Sequence, residues 1–414
     1  MLKVLENKVS EQGEGHSTLD EIAREGARRM LVEALHAEVA DYVEQHRGER
    51  DEEGRALVVR NGRARKRSAT VGSGTLEVEA PRVDDRRAGE HFTSRILPPY
   101  MRRSPKVAEV LPLLYLRGLS TGDFREALPV LLGEEATGLS PTAITRLVGQ
   151  WEQEYTSFRK RDLSAEDYIY TWVDGVHFRV RLEEDRLCTL VVLGVRRDGT
   201  KELLAVEDGY RESAESWSSV LRDLKRRGMK APLLAIGDGA LGFWKAACDV
   251  WPETQEQRCW VHRLANVLDK LPKRLQAKAK RALHDIMNAE TLEDAEEEID
   301  QFAKEYGAKY PKAVESLQRE QDALLAFFDF PAEHWKHIRS TNAIESSFAT
   351  VRLRTRVTKG AGSRNRALVM AFKLLAMAEA RWRKIDAPHL AESLALGARF
   401  KDGIQIKEDA KEAA

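Results

Sequence analysis

YIYTWVDG (residues 168–175), HFRVRL (177–182), CTLVVLGVRR (188–197) and KELLAVEDG (201–209) follow one another in runs dense in Val, Ile, Leu, Thr and Tyr. Branched and aromatic side chains suit a pleated, half-buried backbone, so this stretch reads as strands, three in a row. The pattern then changes period. SAESWSSVLRDLKRRG (213–228) is helical, with Ser213 placed to cap it. APLLAIGDG (231–239) is a short apolar strand, LGFWKAACDVW (241–251) a helix, and QRCWVH (257–262) another short strand. A meander followed by helix–strand–helix–strand predicts an α/β fold with a mixed sheet.

On the C-terminal side, residues 261–327 are helical with no clear strand, and the helical pattern resumes from Ser340 with a basic break at Arg354 to Arg364. The charged residues from Gly403 onward read as a frayed end. On the N-terminal side, residues 17–46 carry apolar positions at helical spacing. Arg47 to Gly62 is polar and reads as a loop or an arm ordered by a ligand. Ala69–Val71 and Thr75–Ala80 flank Gly72-Ser73-Gly74 as a hairpin, and Pro81 stops the second strand. Lys106–Arg117, Thr121–Leu132 and a segment opened by Ser140 as cap and Pro141 as first residue give three helices, broken by Gly133 and Gly138. Such a trio fits a helix-turn-helix or an ordinary three-helix packing unit, and Arg146 faces the groove in the first version.

The 414 residues allow two to four domains, and 42% hydrophobic with 32% charged residues fits a soluble folded chain. No apolar stretch is long enough to span a bilayer, and the N-terminus lacks the apolar region of a secretory signal. Three cysteines, Cys188, Cys248 and Cys259, do not make a disulfide framework and suit a reducing cytoplasm. The net charge is zero, but its distribution is not even. Residues 55–106 hold 13 Lys and Arg against 5 acids, and residues 352–384 hold 10 against 1. Residues 288–322 reverse the balance, with 11 acids against 4 basic residues. Local fields, not the total, decide whether a surface attracts phosphate. Arg60, Arg63, Arg65, Lys66 and Arg67 make a basic arm, and Arg352, Arg354, Arg356 and Lys359 make a second run; each reads as a DNA contact or as a solvated face.

Three acids stand out by position. Asp174 and Asp238 each end an apolar strand next to glycine, where a backbone can approach phosphate, although Asp-Gly is also a common turn. Glu345 falls in the first turn of a helix capped by Ser340, Thr341 or Asn342, where it doubles as a capping-box acid. Phosphodiester transfer needs hard cations clamped by carboxylates, so three acids from separate elements are candidates for it. Cys259 and His262 are spaced like half a zinc site, which Cys248 and His284 would have to complete. The alternatives are a structural junction or a hydrogen bond from His262 to DNA phosphate. Trp260 reads as a core aromatic or as a platform for a flipped base. His177 lies three residues past Asp174, so strand alternation puts it on the opposite face.

These residues resemble a family. RNGRARKRSATVGSGTLEVEAPR, LRGLSTGDFREAL, LSPTAITRL, VDGVHFRVR, GDGALGFWKA, RCWVHRLANVLDKLPK and STNAIESSFATVRLRTRVTKG together resemble bacterial insertion-sequence transposases of the Mutator type, over residues 18–390. The resemblance implies a DDE triad at Asp174, Asp238 and Glu345, spaced by 64 and 107 residues, and a Cys-x-x-His signature at Cys259 and His262. It implies an α/β, ribonuclease H-like catalytic core with an all-helical insertion, preceded by a mainly helical DNA-binding region. The expected divisions are 1–105 and 106–162 for DNA binding, 163–262 and 336–400 for the core, 263–335 for the insertion, and 401–414 for a charged tail. It further implies Mg²⁺ with Mn²⁺ as substitute, double-stranded DNA of the element's terminal inverted repeats and of the target, a homodimer or larger assembly, and a cytoplasmic, nucleoid-associated site. A catalytically silent DNA-binding regulator and a metal-dependent repair nuclease are the rival expectations; the regulator would have lost a carboxylate, and all three are present.

Overall fold

The computed structural model describes residues 15–89, 91–119, 121–132, 141–178, 187–209, 211–239, 242–357 and 363–406. The chain divides into two compact units, 1–146 and 147–414.

In the first unit, α1 (Gly15–Gln45) lays Leu35 on the strands β2 (Arg67–Val71) and β3 (Gly74–Val78), in a core with Ala69, Leu76, Val78 and Leu97. The predicted hairpin is β2 and β3, with Val71 opposite Gly74 and a two-residue turn between them. Gly74 sits at φ 121°, which a side chain disfavours. The expected basic arm is corrected. Val58–Arg63 is strand β1, paired antiparallel with β4 (Pro81–Asp85), and the ladder shifts register between Arg60 and Arg63. Sequence reasoning lost it because its partner lies some twenty residues away, and Asn61-Gly62, read as a turn, is instead an irregularity within a strand. Pro81 ends one strand's reach and begins the next. Helices α2 (Pro105–Arg117) and α3 (Thr121–Leu132) follow, and α4 (Pro141–Arg159) comes next in the chain; Ser104 caps α2, and Gly118 closes it at φ 122°. The Gly133, Gly138 and Ser140 readings lie outside the described residues.

The second unit is built on five strands in the order β7-β6-β5-β8-β9. β5 (Tyr168–Phe178), β6 (Leu187–Arg196) and β7 (Lys201–Gly209) form an antiparallel meander. β8 (Leu234–Gly237) and β9 (Gln255–Arg258) add parallel to β5 after crossovers through α5 (Ala214–Arg226) and α6 (Phe243–Val250). This is the mixed sheet the sequence predicts. An irregularity between Tyr168 and Tyr170 shifts the alternation of β5. Val173 thereafter joins the core under α5 and α6, with Leu190, Val192, Trp217 and Phe243. Tyr170 and Trp172 point to the other face, where Tyr170 bonds His334 at 2.8 Å and Trp172 Nε1 donates to the carbonyls of His337 and Ser340 at 3.2 Å.

Between β9 and the last long helices the described chain is helical: α7 (Trp260–Leu268), α8 (Lys273–Met287), α9 (Leu292–Tyr306), α10 (Pro311–Gln318), α11 (Gln321–Leu325), a 3₁₀ turn and α12 (Ala332–Ile338). Then come α13 (Asn342–Val357), α14 (Arg364–Glu379) and α15 (Pro388–Ala395). The frayed end expected from Gly403 is corrected for residues 403–406. Phe400–Lys401 and Ile404–Gln405 form a small hairpin, tied down where Leu292 N donates to Asp402 and Gly403 N to the Phe328 carbonyl.

Candidate active site

Asp174 does not end its strand. It sits within β5, opposite Val191, and pairing continues to Phe178. It shares the face of Trp172, toward α13, and its Oδ1 accepts from the Gly175 N–H at 2.8 Å. Asp238 does follow the end of β8; its Oδ1 accepts from Gly239 N–H at 2.6 Å, and its carbonyl accepts from Trp244 Nε1 at 2.7 Å. Glu345 lies in the first turn of α13, and its Oε1 is 2.5 Å from the Thr341 hydroxyl. The capping-box alternative does not describe it, because the Thr341 N–H points to Cys259 Sγ at 3.3 Å.

The acids feel one another. Burial pushes the Asp174 carboxyl up to about 7, against the Gly175 hydrogen bond, and the Glu212 and Glu345 charges push the same way. Glu212 is the residue sequence reasoning missed. Burial raises it, His177 opposes, and the Asp238 charge adds to the rise. Its carboxylate lies 3.3 Å from His177 Nε2. It comes this close to β5 because residue 175 is glycine: a Cβ there would fall 2.2 Å from Glu212 Oε1. Arg211, just before it, holds φ 62°, an uncommon backbone for a non-glycine residue and one that clusters at functional sites. The only local signal was an acid between the third strand and a helix cap.

Cys259 and His262 organise the other side. Thr341 approaches Cys259 Sγ with both its N–H and its hydroxyl, the latter at 3.2 Å. His262 Nδ1 is 3.5 Å from that hydroxyl and 3.9 Å from Glu345 Oε1. The hydrogen bond with Cys259 lifts His262 up to about 9, burial opposing and the Asp238 and Glu345 charges assisting. Burial would raise the Cys259 thiol, but its bonds to His262 and Thr341 outweigh that and bring it below the ordinary value. The Trp260 N–H donates to the Arg339 carbonyl at 2.9 Å, closing the strand–helix junction. Cys259, His262 and Glu345 bring ligand atoms together, as do His177, Cys188 and Glu212; neither Cys248 nor His284 joins either group among the described residues. His177 faces away from Asp174, as alternation predicts.

Burial overturns other expectations. Trp260 is fully buried, with Nε1 donating to the Leu324 carbonyl at 3.0 Å, so it is a core aromatic and offers no ring to a base. Arg354 is buried beside Val351 on the inner face of α13, whereas Arg352 and Arg356 are exposed. Helical periodicity turns every third or fourth residue inward, which a count of basic residues ignores. Arg67 spends its guanidinium on the carbonyls of Leu97 and Pro98, at 2.6 to 3.2 Å, which makes it a tie within the first unit. Arg60, Arg63, Arg65, Lys66 and Arg146 are exposed in that unit, with Lys66 paired to Glu77 and Arg63 3.9 Å from Glu79. Lys359 lies outside the described residues.

The donor set fits a hard divalent cation. Asp174, Asp238 and Glu345 offer oxygen ligands; burial is the first cause that raises Asp174, and the added push from the Glu212 and Glu345 charges is one a cation would relieve.

The sheet is mixed, with Asp174 on a central strand, Asp238 just past a strand end and Glu345 in the first turn of a helix. Residues 2–384 match the family described as transposase, Mutator family, and the chain belongs to that family. It is 58% identical over 297 residues, 72% of this chain and 92% of the relative, to the transposase for insertion sequence element IS6120 of Mycolicibacterium smegmatis. It is 51% identical over 288 residues, 68% of this chain and 95% of the relative, to that for IST2 of Acidithiobacillus ferrooxidans. The transposase for IS256 in transposon Tn4001 of Staphylococcus aureus is 26% identical over 351 residues, 83% of this chain and 86% of that one.

Proposed function

We propose that this chain is a DDE transposase that binds the terminal inverted repeats of its element and catalyses metal-dependent DNA cleavage and strand transfer. The observation that supports the reading is membership of a transposase family, together with the charge influence that Glu345 and Glu212 exert on Asp174 and that Asp238 and Glu345 exert on His262. The strand order of the sheet and the helical segment inserted before α13 support a ribonuclease H-like core with an all-helical insertion. In this reading residues 1–105 and 106–162 bind DNA, 163–262 and 336–400 form the core, and 263–335 form the insertion. Hydrolysis at the element end is followed by attack of the freed 3′-hydroxyl on target DNA, both in-line phosphoryl transfers at one site.

Asp174, Asp238 and Glu345 would hold Mg²⁺, or Mn²⁺ in its place. Such cations stabilise the attacking and leaving oxygens. The protein's own part is positional. β5 fixes Asp174 on a rigid ladder, the Gly239 N–H holds the Asp238 carboxylate, and Thr341 holds the Glu345 rotamer. A cationic His262 balances part of the like charge among the acids. Two element ends must be held together, so an assembly of at least two chains is expected on DNA; light scattering that finds only monomer on end DNA contradicts it.

The deciding experiment is cleavage and joining of a labelled element-end duplex in Mg²⁺, with wild type beside Asp174→Asn, Asp238→Asn and Glu345→Gln. Wild-type activity that each variant loses by orders of magnitude, with DNA binding retained, supports the proposal. Binding without any cleavage in Mg²⁺ or Mn²⁺ puts the silent regulator in its place.

A further inference from the structure

A pocket of about 380 Å³ opens beside Asp238 and Gly239, walled by α7 and α10. Its floor is two buried arginines. Arg258 stacks 3.8 Å from the centroid of the Trp244 ring, and Arg263 donates to the Ser316 carbonyl. Glu320 holds both, accepting from Arg258 at 2.7 and 3.0 Å and from Arg263 at 3.2 Å. To reach them it adopts a left-handed backbone, φ 58°, ψ 39°, the uncommon state that marks functional positions. Arg258 is 4% exposed, and its Nη1 has no hydrogen-bond partner among the described residues. The rim carries Lys270, Lys312 and Arg319, all exposed. Among the described residues, Arg319 pairs with the exposed Glu315, a weak pairing in water, and neither lysine has an ion pair.

Glu320 and Glu256 already answer the buried arginines, so the rim charge is left to attract something else. We infer that this pocket seats the backbone phosphates of the DNA strand adjoining the scissile bond, with Lys270 and Lys312 as its contacts. The inference rests on the DNA-transfer reading above. It follows from contiguity: a strand whose reacting phosphate lies at Asp238 carries its next phosphates past Gly239, and the pocket offers a cationic rim there. The strongly acidic α9 is a separate helix and lines none of it. Glu320 keeps the floor arginines in place while the rim lysines take the phosphates, so the two sets of cations have separate tasks.

The test is the salt dependence of binding, read by fluorescence anisotropy with the full chain and a fluorescein-labelled element-end duplex in EDTA. Each phosphate contact contributes about 0.9 to the slope of log K against log salt. Lys270→Gln/Lys312→Gln is therefore expected to reduce the slope by about 1.8 and weaken binding roughly tenfold or more. Lys304→Gln, an exposed lysine on α9, is expected to change neither. Both rim lysines are exposed, so the fold is expected to survive; Lys312→Gln and Lys312→Glu are also read singly, and the acid should weaken binding further than the amide. An unchanged slope and affinity in the double variant overturns the pocket, as does equal loss in Lys304→Gln. Wild-type cleavage of the same duplex in Mg²⁺ is read in parallel. Binding with the predicted slopes but no cleavage defeats the catalytic reading alone, cleavage with unaltered slopes defeats the pocket alone, and no binding by wild type defeats both.

Discussion

Removing the charge at Asp174 should stabilise the metal-free protein while destroying its activity. Asp174 is held up to about 7 from an ordinary 3.8, with burial as the first cause and the Glu212 and Glu345 charges adding to it. The folded state therefore holds on to a proton that the unfolded state releases near pH 4. Stability is unaffected by this group below about pH 4, falls as pH rises between about 4 and 7, and carries the full cost above that. Three units at 1.36 kcal/mol each set a ceiling of roughly 4 kcal/mol. Asp174 is only partly buried, and side chains relax, so about 1–3 kcal/mol is the expected gain for Asp174→Asn at pH 8. The amide oxygen can still accept from Gly175 N–H, so little else is lost. The assay is urea denaturation in EDTA at pH 4 and pH 8, followed by titration of Mg²⁺ or Mn²⁺. Wild type and variant should match near pH 4, and the variant should be the more stable at pH 8. Metal should then stabilise wild type more than the variant. A variant less stable than wild type at pH 8, or a difference that ignores pH, refutes the reasoning.

Three further outcomes follow from the site. Glu212→Gln should slow cleavage by roughly 10- to 100-fold, as loss of an outer metal-site partner does, with end-DNA affinity little changed by anisotropy; unaltered cleavage removes Glu212 from the site. Cys259→Ala should cost about 1–3 kcal/mol in urea denaturation by orphaning the buried Thr341 N–H, and Cys259→Ser should recover part of it by restoring an acceptor; equal losses in both would show that packing, not the hydrogen bond, matters. Trp260→Ala should cost roughly 3–5 kcal/mol yet leave the DNA affinity of the folded protein unchanged, since the ring is core; a stable variant with weakened DNA binding would restore the stacking role.

What the sequence made legible was whatever repeats locally. The runs of β5 to β9 announce a mixed sheet, because branched residues recur over four to eleven positions and the intervening helices change the period. The helices after β9 were legible for the same reason. What escaped was decided by partners distant in the chain. β1 is a strand only because β4 lies beside it, and Arg67 is an internal tie only because the chain returns at Leu97 and Pro98. Trp260 and Arg354 sit in basic or motif-bearing stretches, and only the packed helices show that both face inward. Glu212 is the sharpest case. Nothing in RES sets it apart from dozens of other acids, and its place beside Gly175 and His177 exists because β7 returns next to β6, Arg211 turns left-handed and Gly175 leaves room for a carboxylate. A glycine after a strand aspartate reads as a turn signal. In this fold it is a vacancy that the Glu212 carboxylate fills from the His177 side of the strand, so the local rule pointed to a position that matters for another reason.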